Sequence, residues 1–251
     1  MSPPLPGVAP SCGRPACRYI GPFSTRRNGE CEAALAIESV WALHAPMGFY
    51  RNHILPRLCD GAMRSQMLRP YRERAAGAAE GRVLEIGAGS GLNFRYYGAG
   101  LRELVALEPD PKLTALARER AQTAGRTVRF LAAGAEAIPL EDASVDTVLS
   151  TWTLCSIAQA PAALAEMRRV LKASGRLLFV EHGRAPDLGV ARWQDRLTPL
   201  WKRVAGGCHL NRGIPDLIEG AGFRIERLQS AYAPEGPKIM TFLYEGAATP
   251  T

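Results

Sequence analysis

The amino-acid sequence predicts an α/β fold: a doubly wound, seven-stranded sheet, mostly parallel, with a C-terminal antiparallel hairpin strand. Three observations predict it. From Arg82 onward, short apolar runs of strand length alternate with segments of helical spacing, the order that βαβ units leave in a sequence. The first run, RVLEIGAGSGLNF (82–94), passes straight into three glycines and then into a candidate helix, the form of a nucleotide-binding turn. The last two runs are joined by APEGP, a proline-and-glycine turn that suits a hairpin.

The elements follow in chain order. Residues 1–46, opening MSPPLPGVAPSCGRPAC, are rich in proline and small residues and lack periodicity, which predicts a flexible, disordered extension. The segment lacks the charged start, apolar run and cleavage site of a secretory signal. Residues 47–251 are expected to form one domain. Within 47–80, Phe49, Ile54, Leu58, Met63, Met67 and Leu68 fall near helical spacing, and Pro56 and Pro70 should divide the segment into two or three short helices. Such a segment is more commonly a preamble packed on the sheet; the alternative is a lid, or an amphipathic surface over 49–69 that touches lipid or a partner. Strands are expected over residues 82–86, 103–107, 127–131, 146–150 and 176–180. Helices are expected over 111–124 and 161–171, the second ending in a Ser174–Gly175 turn. A short helix over 215–221, closed by Gly222, precedes the last strands at 223–228 and 239–244.

Composition narrows the class. At 251 residues, 47% hydrophobic and 22% charged, the chain has room for a full core and an ordinary soluble balance. No apolar run approaches the roughly 18 residues of a membrane span. The net charge of +7 comes mostly from scattered arginines without a basic block, so a solvated surface is expected rather than nucleic-acid binding. The six cysteines at 12, 17, 31, 59, 155 and 208 form no CxxC pair. Neither a metal site nor a disulfide scaffold is expected, and a reducing compartment, the cytoplasm, is.

The glycine turn selects the nucleotide. A dinucleotide turn places glycines at relative positions 0, 2 and 5; Gly87 and Gly89 fit, but the third place is Leu92 and the third glycine, Gly91, comes early. No Gly-Lys-Ser/Thr follows, which excludes a P-loop. Glu85, two residues before Gly87, would repel a phosphate resting on a helix N-terminus. It suits a ligand with positive charge, and S-adenosylmethionine carries an ammonium, a sulfonium and no phosphate. Glu108, 21 residues beyond Gly87 at the next strand end, is placed to accept from both ribose hydroxyls, with Asp110 its local competitor.

EIGAGSG, LEPDP, GAEAIPLEDASVD and RRVLKASGRLLFVEH, in this order and spacing, resemble the class I S-adenosylmethionine-dependent methyltransferases, whose sheet is Rossmann-like. The resemblance covers residues 47–251. It implies that Glu85 and the turn Gly87, Ala88, Gly89, Gly91 and Asn93 hold the methionine part, that Glu108 and Pro109 hold the ribose, and that Ala135 and its neighbours flank the adenine. Thr151 is expected on the same side. Many relatives carry an acid where this chain has Gly134, so the adenine amino group is left to backbone N–H groups or to Glu136.

The acceptor side is expected beyond the fourth and fifth strands, where strand order reverses. Thr151, Trp152, Thr153 and Cys155 follow the fourth strand, and Glu181 and His182 end the fifth. Trp152 is either an apolar wall against the sulfonium methyl or a core residue. An insertion over 183–213 carries Trp193, Leu197, Leu200 and Trp201 as a candidate apolar cover, then Cys208, His209 and Arg212. Glu181 with His182 or His209 is the expected acid–base group, with Cys155 beside it; buried structural roles are the alternative. LCS, VEH, the two tryptophans and GCHLNR are similar to one branch, the alkyl thiol methyltransferases of eukaryotic membranes and their bacterial relatives. That implies a small-molecule acceptor, best a thiol or sulfide sulfur. The competing expectations are a membrane-borne acceptor such as a quinone head group or a phospholipid amine, with peripheral membrane contact through 49–69, and a cofactor-binding module without chemistry of its own. The sequence leaves oligomeric state open.

Overall fold

Strand β1 (Gly81–Ile86) is buried along nearly its whole length because it lies mid-sheet with both faces covered. The computed structural model describes residue 50 and residues 54–251. The extension expected over 1–46, and Phe49, lie outside them. β1 pairs in parallel with β2 (Leu101–Leu107) on one side and β4 (Val145–Thr151) on the other. β3 (Val128–Leu131) extends the sheet beyond β2, and β5 (Leu171–His182) beyond β4, both in parallel. β7 (Phe242–Pro250) runs antiparallel to β5, and β6 (Phe223–Tyr232) closes the edge against β7. The order β3-β2-β1-β4-β5-β7-β6 is the expected doubly wound, seven-stranded sheet with its antiparallel hairpin. Strand order reverses between β1 and β4, which opens a crevice at their carboxyl ends.

Helices α1 (Leu55–Met63), α2 (Arg69–Gly77), α3 (Pro111–Thr123), α4 (Ala160–Val170) and α6 (Ile214–Gly220) each carry proline in the first turn, where a missing N–H costs little. Asp110 caps α3 by accepting from the Lys112 and Leu113 amides. Leu84, Ile86, Val148, Phe179 and Met167 belong to one apolar cluster; Val83, Leu104, Leu149, Phe94 and Ala117 belong to a second. β1 and β4 contribute to both because alternate residues point to opposite faces.

Four local expectations are corrected. After the glycine turn the chain makes only a 3-10 turn, Phe94–Tyr96, where a helix is anticipated. The Ser174–Gly175 turn lies inside β5, as a register shift between the Leu171 and Arg176 pairings. Residues Lys238–Thr241 form one helical turn, α7, so the last strand starts at Phe242 and runs to Pro250. The insertion is mostly helix α5 (Leu188–Val204), and two residues of its expected apolar cover face outward, Trp193 at 54% and Leu200 at 62% exposed, while Leu197 and Trp201 are half-buried. Its buried edge is Ala191, Gln194 and Thr198. Gln194 anchors the helix by donating to the Gly183 and Ile239 carbonyls and accepting from the Ala185 amide.

Candidate functional site

The crevice at the β1/β4 reversal holds a cavity of about 440 Å³. Gly87 and Gly91 show why the turn below it needs glycine: both have positive φ, 58° and 78°. A Cβ on Gly87 would meet the Thr153 side chain at 2.4 Å, and one on Gly91 would meet the Phe94 ring at 2.6 Å.

Five acidic residues line this cavity, Asp60, Glu85, Glu108, Asp110 and Glu136, and Glu85 and Glu108 are the two beside the glycine turn that are buried and raised in pKa. Glu85 is almost completely buried, accepts from Asn93 Nδ2 at 2.8 Å and from the Tyr97 hydroxyl at 2.7 Å, and makes no ion pair within 4.0 Å among the described residues. Burial raises its pKa to about 7, against the two hydrogen bonds and the charge of Arg72. Glu108 directly follows β2 and is locked by backbone donors, from Gly89 to Oε2 at 2.8 Å and from Asp110 to Oε1 at 2.9 Å. Its pKa is raised, by burial first. A buried carboxyl with no cation in contact fits a cationic ligand, and a carboxylate bonded to the turn fits ribose hydroxyls rather than phosphate.

Among the expected cofactor residues, Glu85, Gly87, Ala88, Gly89, Asn93, Glu108, Pro109, Gly134, Ala135, Glu136 and Thr151 all line the cavity. Gly91 does not; it packs under the turn against Phe94 and α3. Trp152 lines the cavity in a left-handed conformation, φ 51°, which a tryptophan adopts only under tertiary constraint.

The expected acid–base group is not in the cavity. Glu181 is fully buried and accepts from the Ser150 hydroxyl at 2.8 Å, the Thr153 amide at 3.1 Å and the Cys155 amide at 3.2 Å, so its oxygens hold the loop after β4. His182, His209, Cys155, Cys208, Arg212, Trp193 and Trp201 are likewise absent from the lining. The cause is pairing that the sequence does not announce. β5 remains paired with β7 as far as His182, and Arg212 donates to the Leu154 and Ile157 carbonyls, drawing the 206–213 turn over the rim. Among the described residues no group of His, Cys, Asp and Glu is arranged to hold a metal ion.

Other residues take that wall. Leu55, Pro56, Cys59 and Met63 of α1 line the cavity with Trp152, Ser156, Ile157 and Gly206. Asp60 fastens α1 to the glycine turn, accepting from the Ser90 hydroxyl at 2.5 Å and from both terminal nitrogens of Arg120 at 2.7 and 3.1 Å. Burial opposes its charge, but those hydrogen bonds hold its carboxyl below the usual range. Arg72 of α2 was not legible in the sequence, being one arginine among many. It is buried, donates to Asn93 Oδ1 at 2.7 Å and the Met63 carbonyl at 3.0 Å, and lies 4.6 Å over the Trp152 ring. Burial lowers its pKa to about 10.

Fold and cavity together define an α/β protein with a pocket for a cationic adenosyl ligand at its topological switch point. Comparison with known proteins gives the family. A family model described as "Methyltransferase domain" matches residues 84–179. The thiol S-methyltransferase TMT1B of Rattus norvegicus is 36% identical over 167 residues, 63% of this chain and 68% of the relative. The demethylmenaquinone methyltransferase of Thermus thermophilus is 33% identical over 179 residues, 67% of this chain and 80% of the relative. In fold, the chain is similar to a Burkholderia thailandensis 1,6-didemethyltoxoflavin-N1-methyltransferase solved with S-adenosylhomocysteine, with TM-score 0.57 and 18% identity over 92% of this chain and 94% of that one. The chain belongs to the S-adenosylmethionine-dependent methyltransferases, and S-adenosylmethionine is its cofactor.

Proposed function

We propose that this methyltransferase transfers the methyl group to a small thiol or sulfide sulfur. One observation carries the reading: the cavity wall away from the cofactor-side carboxylates is mostly apolar and offers no free base. Leu55, Pro56, Met63, Trp152 and Ile157 make most of it, with Cys59, Ser156 and Gly206; burial pushes the Cys59 thiol up, Asp60 is tied to Arg120, and Glu181, His182 and His209 lie elsewhere. A hydroxyl or ammonium acceptor needs a proton taken from it. A thiol of pKa about 8.5 is already a few per cent thiolate at neutral pH and needs little help. The rat relative's name, thiol S-methyltransferase, supports the same acceptor.

The cofactor supplies an electrophilic methyl on a sulfonium, and the chain supplies alignment and exclusion of water. Glu85 would take the ammonium, Arg72 the carboxylate, Glu108 the ribose hydroxyls, and the Ala133–Glu136 segment the adenine. Trp152 would press an apolar wall against the methyl while Arg72 fixes its ring. The test is labelled-methyl transfer across thiol, phenol, amine and lipid acceptors. Thiol turnover without lipid is expected; transfer to phenols or amines alone would refute the reading.

A second reading is a quinone head group, supported by the demethylmenaquinone methyltransferase relative and by Ile54 and Leu58, which are 40% and 56% exposed in the 49–69 segment. Lipid-dependent turnover of quinols and none of soluble thiols would select it. The proposed location is cytoplasmic, with peripheral membrane contact under this second reading.

A further inference from the structure

Cys155, in the loop after β4, and Cys208, in the turn after α5, meet behind the cavity wall. The His209 amide donates to the Cys155 carbonyl at 2.8 Å. Gly207 packs so closely on the same loop that a Cβ there would stand 2.9 Å from the Ser156 carbonyl oxygen. Each thiol acts on the titration of the other, which makes the two side chains neighbours. Cys208 Sγ is 3.9 Å from His182 Nδ1, and His182 Nε2 is buried with no hydrogen-bond partner among the described residues. Neither sulfur lines the cavity, so the transfer reaction leaves this pair without a task.

We propose that Cys155 and Cys208 form a redox-active dithiol, which a hydroperoxide oxidises to an intramolecular disulfide that reshapes the acceptor wall. In the first step the Cys208 thiolate attacks the terminal peroxide oxygen. The S–O bond forms, the O–O bond breaks, and two electrons pass from sulfur to the peroxide. The departing alkoxide or hydroxide takes a proton from solvent, leaving Cys208 as sulfenic acid. In the second step Cys155 sulfur attacks the sulfenic sulfur, the S–S bond forms, the S–O bond breaks, and hydroxide leaves as water with the Cys155 proton. An external dithiol restores the pair by exchange.

The division of roles follows from the surroundings. The neighbouring Cys155 thiol favours the thiolate on Cys208 first, and His182, 3.9 Å from the sulfur, adds to it against the cost of burial. Cys208 beside it, together with burial, pushes the Cys155 thiol up, so it keeps its proton until a sulfenic acid appears beside it. Disulfide closure needs Cα atoms about 4.4–6.8 Å apart, and the His209–Cys155 hydrogen bond holds the two backbones side by side. Ser156, next to Cys155, and Gly206, two residues before Cys208, both line the cavity. Closing the pair therefore moves the acceptor wall and leaves Glu85 and Glu108 alone. The site does not depend on which acceptor is methylated.

The test uses the full chain, reduced, freed of reductant and given one equivalent of hydrogen peroxide, then alkylated and digested without reduction. Mass spectrometry should find the Cys155 and Cys208 peptides joined with the loss of two hydrogens, and dithiothreitol should separate them. Methyl transfer should fall several-fold while the Kd for S-adenosylhomocysteine is unchanged. Cys155→Ser should stop at a sulfenic acid on Cys208 that dimedone traps, and Cys208→Ser should leave Cys155 reduced. Both cysteines remaining fully alkylatable, or either one joined to Cys59 or to a cysteine of the first 31 residues, overturns the pairing. A disulfide that forms with no loss of turnover overturns the link to the acceptor wall.

Discussion

Glu85 offers the sharpest test of the cofactor pocket, because burial sets its pKa at about 7, inside the working range. The cofactor ammonium favours the carboxylate, so below pH 7 each binding event must also expel a proton. For a group of pKa about 7, the ionised fraction falls roughly eight-fold between pH 7.5 and pH 6, and apparent affinity should fall by the same factor. An α-amino group of the usual pKa, about 7.7–8.0, gains protons over the same window and offsets that fall by less than about two-fold. Titration calorimetry in buffers of different ionisation enthalpy measures both the affinity and the proton released. Glu85→Gln should bind roughly 10-fold or more weakly and show a flat profile over this window. Linkage gives the apo protein a matching signature. The folded value lies above the unfolded one of 4.5, so the contribution to stability is fully present below pH 4.5 and is lost as pH rises through about 7. The difference amounts to ~3 kcal/mol as an order of magnitude. Affinity that stays level or rises on acidification, with no proton released, would refute the assignment of Glu85 to the ammonium.

Three further outcomes are expected. Glu108→Ala removes the acceptor for the ribose and for two backbone amides of the turn, and should weaken cofactor binding by about 1–3 kcal/mol; unchanged calorimetric affinity would count against it. Arg72→Lys cannot bridge Asn93, the Met63 carbonyl and the Trp152 face together, and should raise the cofactor Kd about ten-fold; a lysine variant with wild-type binding would show that only charge matters there. Glu181→Gln should cost about 1–3 kcal/mol in urea unfolding, with turnover per folded molecule retained. Loss of turnover at unchanged stability would return Glu181 to the reaction.

The sheet was legible where burial dictates sequence. β1 and β4 are buried on both faces, and their continuous apolar runs place them to within a residue. The hairpin was less legible. The run IMTFLY reads as a strand from Ile239, yet Pro237 starts a helical turn first and the strand continues through GAATP, a stretch whose composition reads as loop. Gly246 explains that composition: a Cβ there would come within 2.5 Å of both the Arg227 carbonyl oxygen and the Phe179 ring, so the strand needs glycine for contacts far away in sequence. β6 ran past its expected end at Leu228 because LQSAY lies on an exposed sheet edge, where polar residues pair as well as apolar ones.

The same distinction separates the two halves of the site. Glu85 and Glu181 look alike in the sequence, each an acid at the end of an apolar strand. Their fates differ in what consumes their lone pairs. Glu181 receives a hydroxyl and two backbone amides from the loop after the neighbouring strand, and sheet pairing to His182 seals it from the cavity. Glu85 receives only side-chain donors, Asn93 and Tyr97, and keeps a face to the cavity at a pKa that leaves its charge undecided near neutrality. Cofactor residues could be read because a short turn and a fixed strand spacing bring them together. Acceptor residues could not, because α1, α2 and the 206–213 turn reach the wall through Asp60, Arg72 and Arg212, isolated polar residues with no periodicity to give them away. A carboxylate at a strand end is thus evidence of a site only when the protein leaves part of its hydrogen-bonding capacity for a ligand, and by that criterion Glu85 qualifies and Glu181 does not.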